Sequence, residues 1–203
     1  MKLYYADLLS ARKACAVARY LKAPVELVYL DVAKGEHKTP AYIALNPNAK
    51  VPTLVKGDRI TWEADAVMCQ LSDDMGAALW PHDARQIDIV RWFSWNAQHF
   101  TRAGGALYFE NIIKQRFRIG LPDQKVVEEE QNEFRRYAAV LSDHLRSHKW
   151  LVGDALSVAD FSVAVALPCA KDAQIPLHEF SEIRRWHDQL NEFEAWREPF
   201  PPR

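Results

Sequence analysis

The stretch LYYADLLSARKACAVARYLKAPVELVYL, residues 3–30, decides the fold. Leu3-Tyr4-Tyr5 is short, apolar and aromatic, as a buried strand is. Ala14, Val17, Ala18 and Leu21 then fall at i, i+3, i+4 and i+7, one face of a helix expected from about Ser10 to Lys22. Pro24 ends it, and Glu26-Leu27-Val28-Tyr29-Leu30 reads as a second strand. Strand, helix and strand in so short a stretch predict a βαβ unit with parallel strands.

Outward from this unit comes the polar run Lys34-Gly35-Glu36-His37-Lys38, after which Thr39-Pro40 opens a short helix by cap and first-turn chemistry. Val51-Pro52-Thr53-Leu54-Val55 and Arg59-Ile60-Thr61-Trp62 flank a turn at Lys56-Gly57-Asp58, a hairpin signal. A third helix is expected to bury Ala64, Val67, Met68, Leu71 and Met75. Beyond Met75 the strand signals stop, and the segment containing Trp80-Pro81 reads as a linker. The rest is helical by periodicity. Ile89, Trp92, Phe93, Asn96 and Phe100 share one face; Phe134, Tyr137, Ala138, Leu141 and Leu145 another; Ile183, Trp186, His187 and Leu190 a third. Gly104-Gly105 interrupts an otherwise helical run and is expected to bend or loosen it. Leu121-Pro122-Asp123 marks one helix start, and Ser157-Val158-Ala159-Asp160 has the form of a capping box at another. The expected organisation is an α/β first domain over residues 1–76, a linker over 77–84 and an all-α domain over 85–203.

Composition narrows the function classes. The 203 residues carry 26 Lys plus Arg against 27 Asp plus Glu, a net charge of −1. No cationic surplus exists to neutralise a phosphate backbone, so a nucleic-acid role is not expected. Splitting at residue 76 does not change this, because the first part has 10 basic and 9 acidic residues and the remainder 16 and 18. Met1-Lys2-Leu3-Tyr4-Tyr5-Ala6-Asp7 meets an acid before any apolar run of signal-peptide length. Phe161 to Ala170, the longest weakly polar stretch, is far shorter than the roughly 20 residues that span a bilayer. Cys15, Cys69 and Cys169 are widely spaced, with no CxxC pair and no zinc-type cluster, so no metal is expected. A cytoplasmic protein with three reduced thiols is the expectation, with no membrane partner.

Four segments carry a resemblance. They are Met1-Lys2-Leu3-Tyr4-Tyr5, the block Asn46-Pro47-Asn48-Ala49-Lys50-Val51-Pro52-Thr53-Leu54, the acid Glu63 opening the third helix, and Leu151-Val152-Gly153-Asp154-Ala155-Leu156-Ser157-Val158-Ala159-Asp160. Together they resemble the cytosolic glutathione transferases, of bacterial type, over nearly the whole chain. The resemblance implies a thioredoxin-like α/β first domain, an all-α second domain, a homodimer, and glutathione as co-substrate bound by the first domain. A small hydrophobic electrophile would complete the reaction, as in detoxification.

A free thiol titrates near pH 8.5, so at neutral pH only a few per cent is thiolate. Lowering that value by about two units takes roughly 2.7 kcal/mol of preferential stabilisation of the anion. A hydroxyl donor beside a helix N-terminus is suited to this task. Ser10 fits the role, although Ser is also an ordinary helix cap. Tyr5 is the alternative, since some classes of the family use a tyrosine near the end of the first strand. Tyr4 and Tyr5 point to opposite faces of that strand, so one of them belongs to the core. Ser at position 10, with Cys15 deeper in the helix, disfavours thiol–disulfide exchange.

By the resemblance, Val51-Pro52 is joined by a cis bond that turns the Val51 N–H and C=O toward the cysteinyl main chain of the tripeptide. His37 and Lys50 are candidates for its glycyl carboxylate. The start of the third helix suits the γ-glutamyl end: free N–H groups for the carboxylate, Glu63 for the ammonium. The family normally follows that acid with Ser or Thr, whereas this chain has Ala64 and then Asp65. Losing a hydrogen bond to a charged group costs about 1.5–3 kcal/mol, and Asp65 is expected to add a competing negative charge. His99, Arg102 and Tyr108 are candidates for the electrophile pocket, among the aromatics Trp95, Phe100 and Phe109. The rival readings are a non-catalytic or atypical-ligand protein on the same fold, favoured by Ala64-Asp65, and a glutathione-dependent reductase or isomerase.

Overall fold

The computed structural model describes residues 1–76 and 79–202. Contacts divide the chain into two units, Met1–Trp80 with Phe193–Arg203, and Pro81–Glu192. Of the expected linker 77–84, Ala77 and Ala78 lie outside the described residues.

In the first unit the order is β1 (Lys2–Tyr5), α1 (Leu9–Tyr20), β2 (Glu26–Tyr29), a short helix α2 (Pro40–Ile43), β3 (Thr53–Lys56), β4 (Arg59–Trp62) and α3 (Ala64–Asp74). The described strands form one sheet in the order β2-β1-β3-β4. The expected parallel pairing holds, with Lys2 opposite Glu26 and Tyr5 opposite Tyr29. β3 runs antiparallel to both β1 and β4. The hairpin turns at Gly57-Asp58, and Gly57 sits at φ 57°, in the left-handed region that a residue without Cβ enters freely. α1 presents Ala11, Ala14, Ala16 and Ala18, all buried, so its backbone packs close to its neighbours. α3 buries Ala64, Val67, Met68 and Leu71 as its periodicity predicts. Met75 does not join them: it lies one residue past the helix end and is exposed. This unit is the mixed α/β sheet of a thioredoxin-like domain.

The second unit is helical throughout its described residues. α4 (Arg85–Trp95), a π turn (Asn96–Phe100), α5 (Thr101–Tyr108), a second π turn (Phe109–Ile113) and α6 (Lys114–Phe117) follow without a break. The glycine pair therefore does not loosen this run. A Cβ on Gly104 would lie 3.2 Å from the Ala166 Cβ, so the missing side chain permits close packing instead. α7 (Gln124–Leu145) begins where Asp123 caps it, its carboxylate accepting the N–H groups of Lys125 and Val126. α8 (Val158–Val163) and α9 (Ser181–Asn191) complete the bundle. A final short helix, α10 (Glu194–Arg197), belongs by its contacts to the first unit. Periodicity alone had attached that end of the chain to the helical domain, because four residues of helix carry no sign of which body they pack on.

Asp160 organises the second unit. Fully buried, its carboxylate accepts from the Leu151 N–H at 3.0 Å, the Ser157 N–H at 2.9 Å, the Ser157 hydroxyl at 3.0 Å and the Trp186 Nε1–H at 2.9 Å. Burial pushes its pKa up, and the four donors oppose that shift. Asp160→Ala would strip all four donors of their acceptor. We expect a loss of about 3 kcal/mol and a fall of about 6–12 °C in Tm for a chain of this size, read by thermal denaturation followed by circular dichroism.

Candidate functional site

Strand register brings the predicted residues to one end of the sheet. Tyr4 lies opposite Thr53, and Thr53 opposite Trp62. The loop that follows β1, the residues that precede β3 and those that follow β4 therefore emerge together. They carry Ser10, then Lys50-Val51-Pro52, then Glu63-Ala64-Asp65. Tyr5 pairs with Tyr29, so the segment that leads from β2 to His37 leaves from the same end.

Ser10 is exposed in the first turn of α1, whose cap position is Leu8. The first backbone bond into this helix runs from Arg12 N–H to Leu8 C=O, which leaves the N–H groups of Leu9, Ser10 and Ala11 without an i−4 partner. Tyr5 is the core member of its pair, 1% exposed, stacked on Phe200 at 5.6 Å and edge-on to Tyr29. Tyr4 is half-buried and meets Tyr42 edge-on. Of the two candidate hydroxyls, only Ser10 lies on the surface.

The Val51-Pro52 bond is cis. Among the described residues neither the N–H nor the C=O of Val51 has a hydrogen-bond partner within the chain. Its position is held from behind by a buried polar network. The Lys50 carbonyl accepts from the Tyr42 hydroxyl at 2.7 Å and the Asn46 Nδ2 at 2.8 Å, and both of these groups also bond the Thr53 hydroxyl. Asn46, Tyr42 and Thr53 are each at most 4% exposed. The motif Asn46–Leu54 is thus a scaffold that fixes one pair of free backbone groups. Lys50 itself is exposed. His37 is half-buried, and its Nδ1 is buried without a partner among the described residues. Burial, and the charge of Lys38 beside it, hold its pKa below the ordinary histidine value. At neutral pH it offers a neutral ring, a hydrogen-bonding group rather than a cation.

The start of α3 differs from the sequence expectation in one respect. Glu63 is exposed at the cap position with φ 69°, and Ala64 is buried as the first helical residue. Asp65 is not a free competing charge, because its carboxylate meets the Lys13 ammonium of α1 at 2.6 Å. The Lys13 side chain is only 10% exposed. This pair was missed in the sequence, where Lys13 beside the apolar face of the first helix was the available signal.

The three electrophile candidates lie in the second unit. His99 stacks on Tyr137 of α7 at 4.6 Å. Arg102 is tied to the same helix by Glu130 at 2.9 Å and Glu133 at 4.0 Å. Tyr108 is half-buried at the end of α5.

Comparisons with known proteins bear on the family and the fold. The family model "Glutathione S-transferase, N-terminal domain" matches residues 1–69, and "Glutathione S-transferase, C-terminal domain" matches residues 106–194. The chain is 31% identical over 197 residues to the probable glutathione S-transferase GSTF2 of Oryza sativa subsp. japonica, covering 94% of this chain and 91% of the relative. It is 28% identical over 212 residues to glutathione S-transferase F9 of Arabidopsis thaliana, covering 98% and 95%. Both are plant proteins, so they support the family and do not bear on a bacterial branch. Among solved structures, glutathione S-transferase-I bound with the ligand lactoylglutathione superposes with a TM-score of 0.89 at 24% identity, covering 98% of this chain and 97% of that one. That likeness speaks to the fold.

Two of the free cysteines lie on the helices of the first unit, Cys15 in α1 and Cys69 in α3. Burial pushes both Cys15 and Cys69 up to about 12, with Asp65 and Asp73 adding to the effect at Cys69. Both thiols therefore stay protonated through the neutral range, and the thiolate is the reactive species. At pH 7.5 iodoacetamide should leave Cys15 and Cys69 unmodified in the folded protein and label both after denaturation, as peptide mass spectrometry would read.

Proposed function

Because the chain belongs to the glutathione S-transferase family, we propose that it is a glutathione transferase that ionises the tripeptide's thiol beside Ser10. The observation that carries this reading is Ser10 itself, exposed in the first turn of α1, where the N–H groups have no i−4 backbone partner. A hydrogen bond to a charged acceptor contributes about 1.5–3 kcal/mol, and a helix N-terminus about 0.3–1 kcal/mol more. Their sum covers the roughly 2.7 kcal/mol that a two-unit fall in thiol pKa requires. The thiol proton leaves to solvent, the sulfur attacks an electrophilic carbon, and the leaving group departs with its electron pair as the C–S bond forms.

The remaining roles follow the tripeptide's chemistry. The N–H and C=O of Val51, beside Pro52, pair with the cysteinyl main chain as an added strand. Lys50 and the neutral ring of His37 meet the glycyl carboxylate. The N-terminus of α3 at Ala64 holds the γ-glutamyl carboxylate, and Glu63 receives its ammonium. We assign glutathione binding to the domain at 1–76, and to the helical domain a small hydrophobic electrophile lined by His99, Arg102 and Tyr108. Among the described residues no helix is long and apolar enough to cross a membrane. The three cysteines are free, which supports a reducing, cytoplasmic setting.

The rival, a binding protein that has lost catalysis, draws on Ala64, since no hydroxyl stands at that position. The Lys13–Asp65 pair weakens it, because the charge that would repel the γ-glutamyl carboxylate is already matched. Titration calorimetry separates the two: micromolar glutathione binding supports the enzyme, and no heat at millimolar concentration supports the rival. Ser10→Ala should cut kcat by roughly ten- to a hundredfold with glutathione affinity within about threefold, the mark of a lost transition-state contact. Tyr5→Phe should leave kcat within about twofold; the opposite pattern would move the role to Tyr5.

We also propose a homodimer. Ile60 and Trp62 lie exposed on the edge strand β4, and Ile87 and Val90 one turn apart on α4. Such apolar exposure supports an interface. Analytical ultracentrifugation should find two chains per particle, and Ile87→Glu should shift the population toward one.

A further inference from the structure

Ser10 hangs between two anchors, and the same distant segment grips both. Upstream, Tyr5 ends β1, and its ring stacks on Phe200 at 5.6 Å with 15° between the planes. Downstream, the Arg12 guanidinium donates to the Trp196 carbonyl at 2.5 Å and the Arg197 carbonyl at 3.3 Å, and lies over the Trp196 ring at 5.3 Å. Only the loop Ala6-Asp7-Leu8 and the first turn of α1 lie between these anchors. Two turns further along, Arg19 bonds the Glu198 carbonyl and pairs with Glu194 at 3.2 Å, while Tyr20 meets Phe193 edge-on at 5.2 Å. Trp196 is fully buried, and Pro199 is buried as well. The segment thus starts against the end of α1, runs back along the helix and finishes on the end of β1.

We propose that residues 193–200 form a strap that locks the end of β1 to the start of α1 and so sets where the Ser10 hydroxyl stands. Arg12 and Phe200 are its positioning residues. The inference rests on the reading of Ser10 as the thiolate's donor. The physical reason is the steepness of hydrogen-bond geometry: a bond that is to stabilise an anion must hold its donor within a few tenths of an ångström. A short loop on a helix rich in alanine has few large side chains of its own to hold it so. The strap supplies that restraint from outside, largely through bonds to main-chain carbonyls.

The test is ultraviolet difference titration of the bound glutathione thiol, with kcat and KM measured alongside. Arg12→Met and Phe200→Ala should each raise the bound thiol's pKa by about half a unit to one unit, roughly three- to tenfold less thiolate near neutrality. KM for glutathione should stay within about twofold. Arg12→Lys keeps the charge but loses the two-pronged grip, so it should behave as Arg12→Met does. If Arg12→Lys restored the wild-type titration, the charge rather than the strap would be acting, and the inference would fall. In a Ser10→Ala background neither substitution should shift the titration further; an additive shift would also overturn it. Should Arg12→Met not fold, Phe200→Ala carries the test alone. If Ser10→Ala itself left the titration unmoved, the reading of Ser10 would fail and the inference with it. A normal Ser10→Ala shift with silent Arg12 and Phe200 variants would sink the strap and spare that reading.

Discussion

Tyr4, Thr53 and Trp62 stand side by side across three strands, and every glutathione-binding role proposed for the first unit depends on that row. A sheet's side chains alternate with period two, so a slip of one residue in either pairing would turn a whole strand over. Thr53 would then leave the buried network that holds the Lys50 carbonyl, and Val51 would lose its place at the sheet's end. The register is protected where it matters. Thr53 is fully buried and bonded to both Tyr42 and Asn46, and an unmade buried hydrogen bond costs about 1–3 kcal/mol. The polar network and the sheet ladder therefore enforce the same alignment.

Two helix starts meet at this end, and electrostatics decides whether they can share an anionic ligand. Asp65 in the first turn of α3 favours the helix dipole but opposes an incoming carboxylate. Lys13 resolves the conflict by pairing with it at 2.6 Å, so the helix start keeps its stabilising acid without presenting a bare negative charge. A pair this close to burial adds little net stability by itself, because desolvation offsets most of the attraction. Its value is directional: it ties α1 to α3, and with them the segment that carries Ser10 to the start of α3 at Ala64.

Much of this was legible in the sequence because local patterns and the fold coincide. The residues 3–30 encode strand, helix and strand by periodicity, and Ser157 to Asp160 encode a helix start by hydrogen bonds between those two residues themselves. The candidates at 51, 52, 63 and 64 came from motif segments and Ser10 from the chemistry of a hydroxyl at a helix start, and register gathers them at one sheet end. What stayed hidden is long-range. Lys13 and Asp65 are 52 positions apart, and Arg12 is 184 positions from Trp196. Neither distance leaves a periodic trace. Met75 misled for a different reason: the periodic face continued one residue past the point where the helix ended. Gly104 misled because a glycine in a helix reads as a break unless its neighbour Ala166 is known.

The composition of α1 explains why a strap is there at all. Alanine at four buried positions allows the helix to lie close to the sheet and to α3, but alanines bury little apolar area each. A helix so made is well packed on its inner side and lightly held on its outer side. Arg12 and Arg19 are seven residues apart, two full turns, and so face the same way. Both take main-chain carbonyls of the returning segment as acceptors. Bonds to carbonyls constrain the path of that segment rather than the identity of its side chains, whereas Trp196 and Phe200 contribute through bulk. The division of labour gives a clear physical rule for this helix: small residues set how close it lies to its neighbours, and two arginines set how firmly its outer face is held.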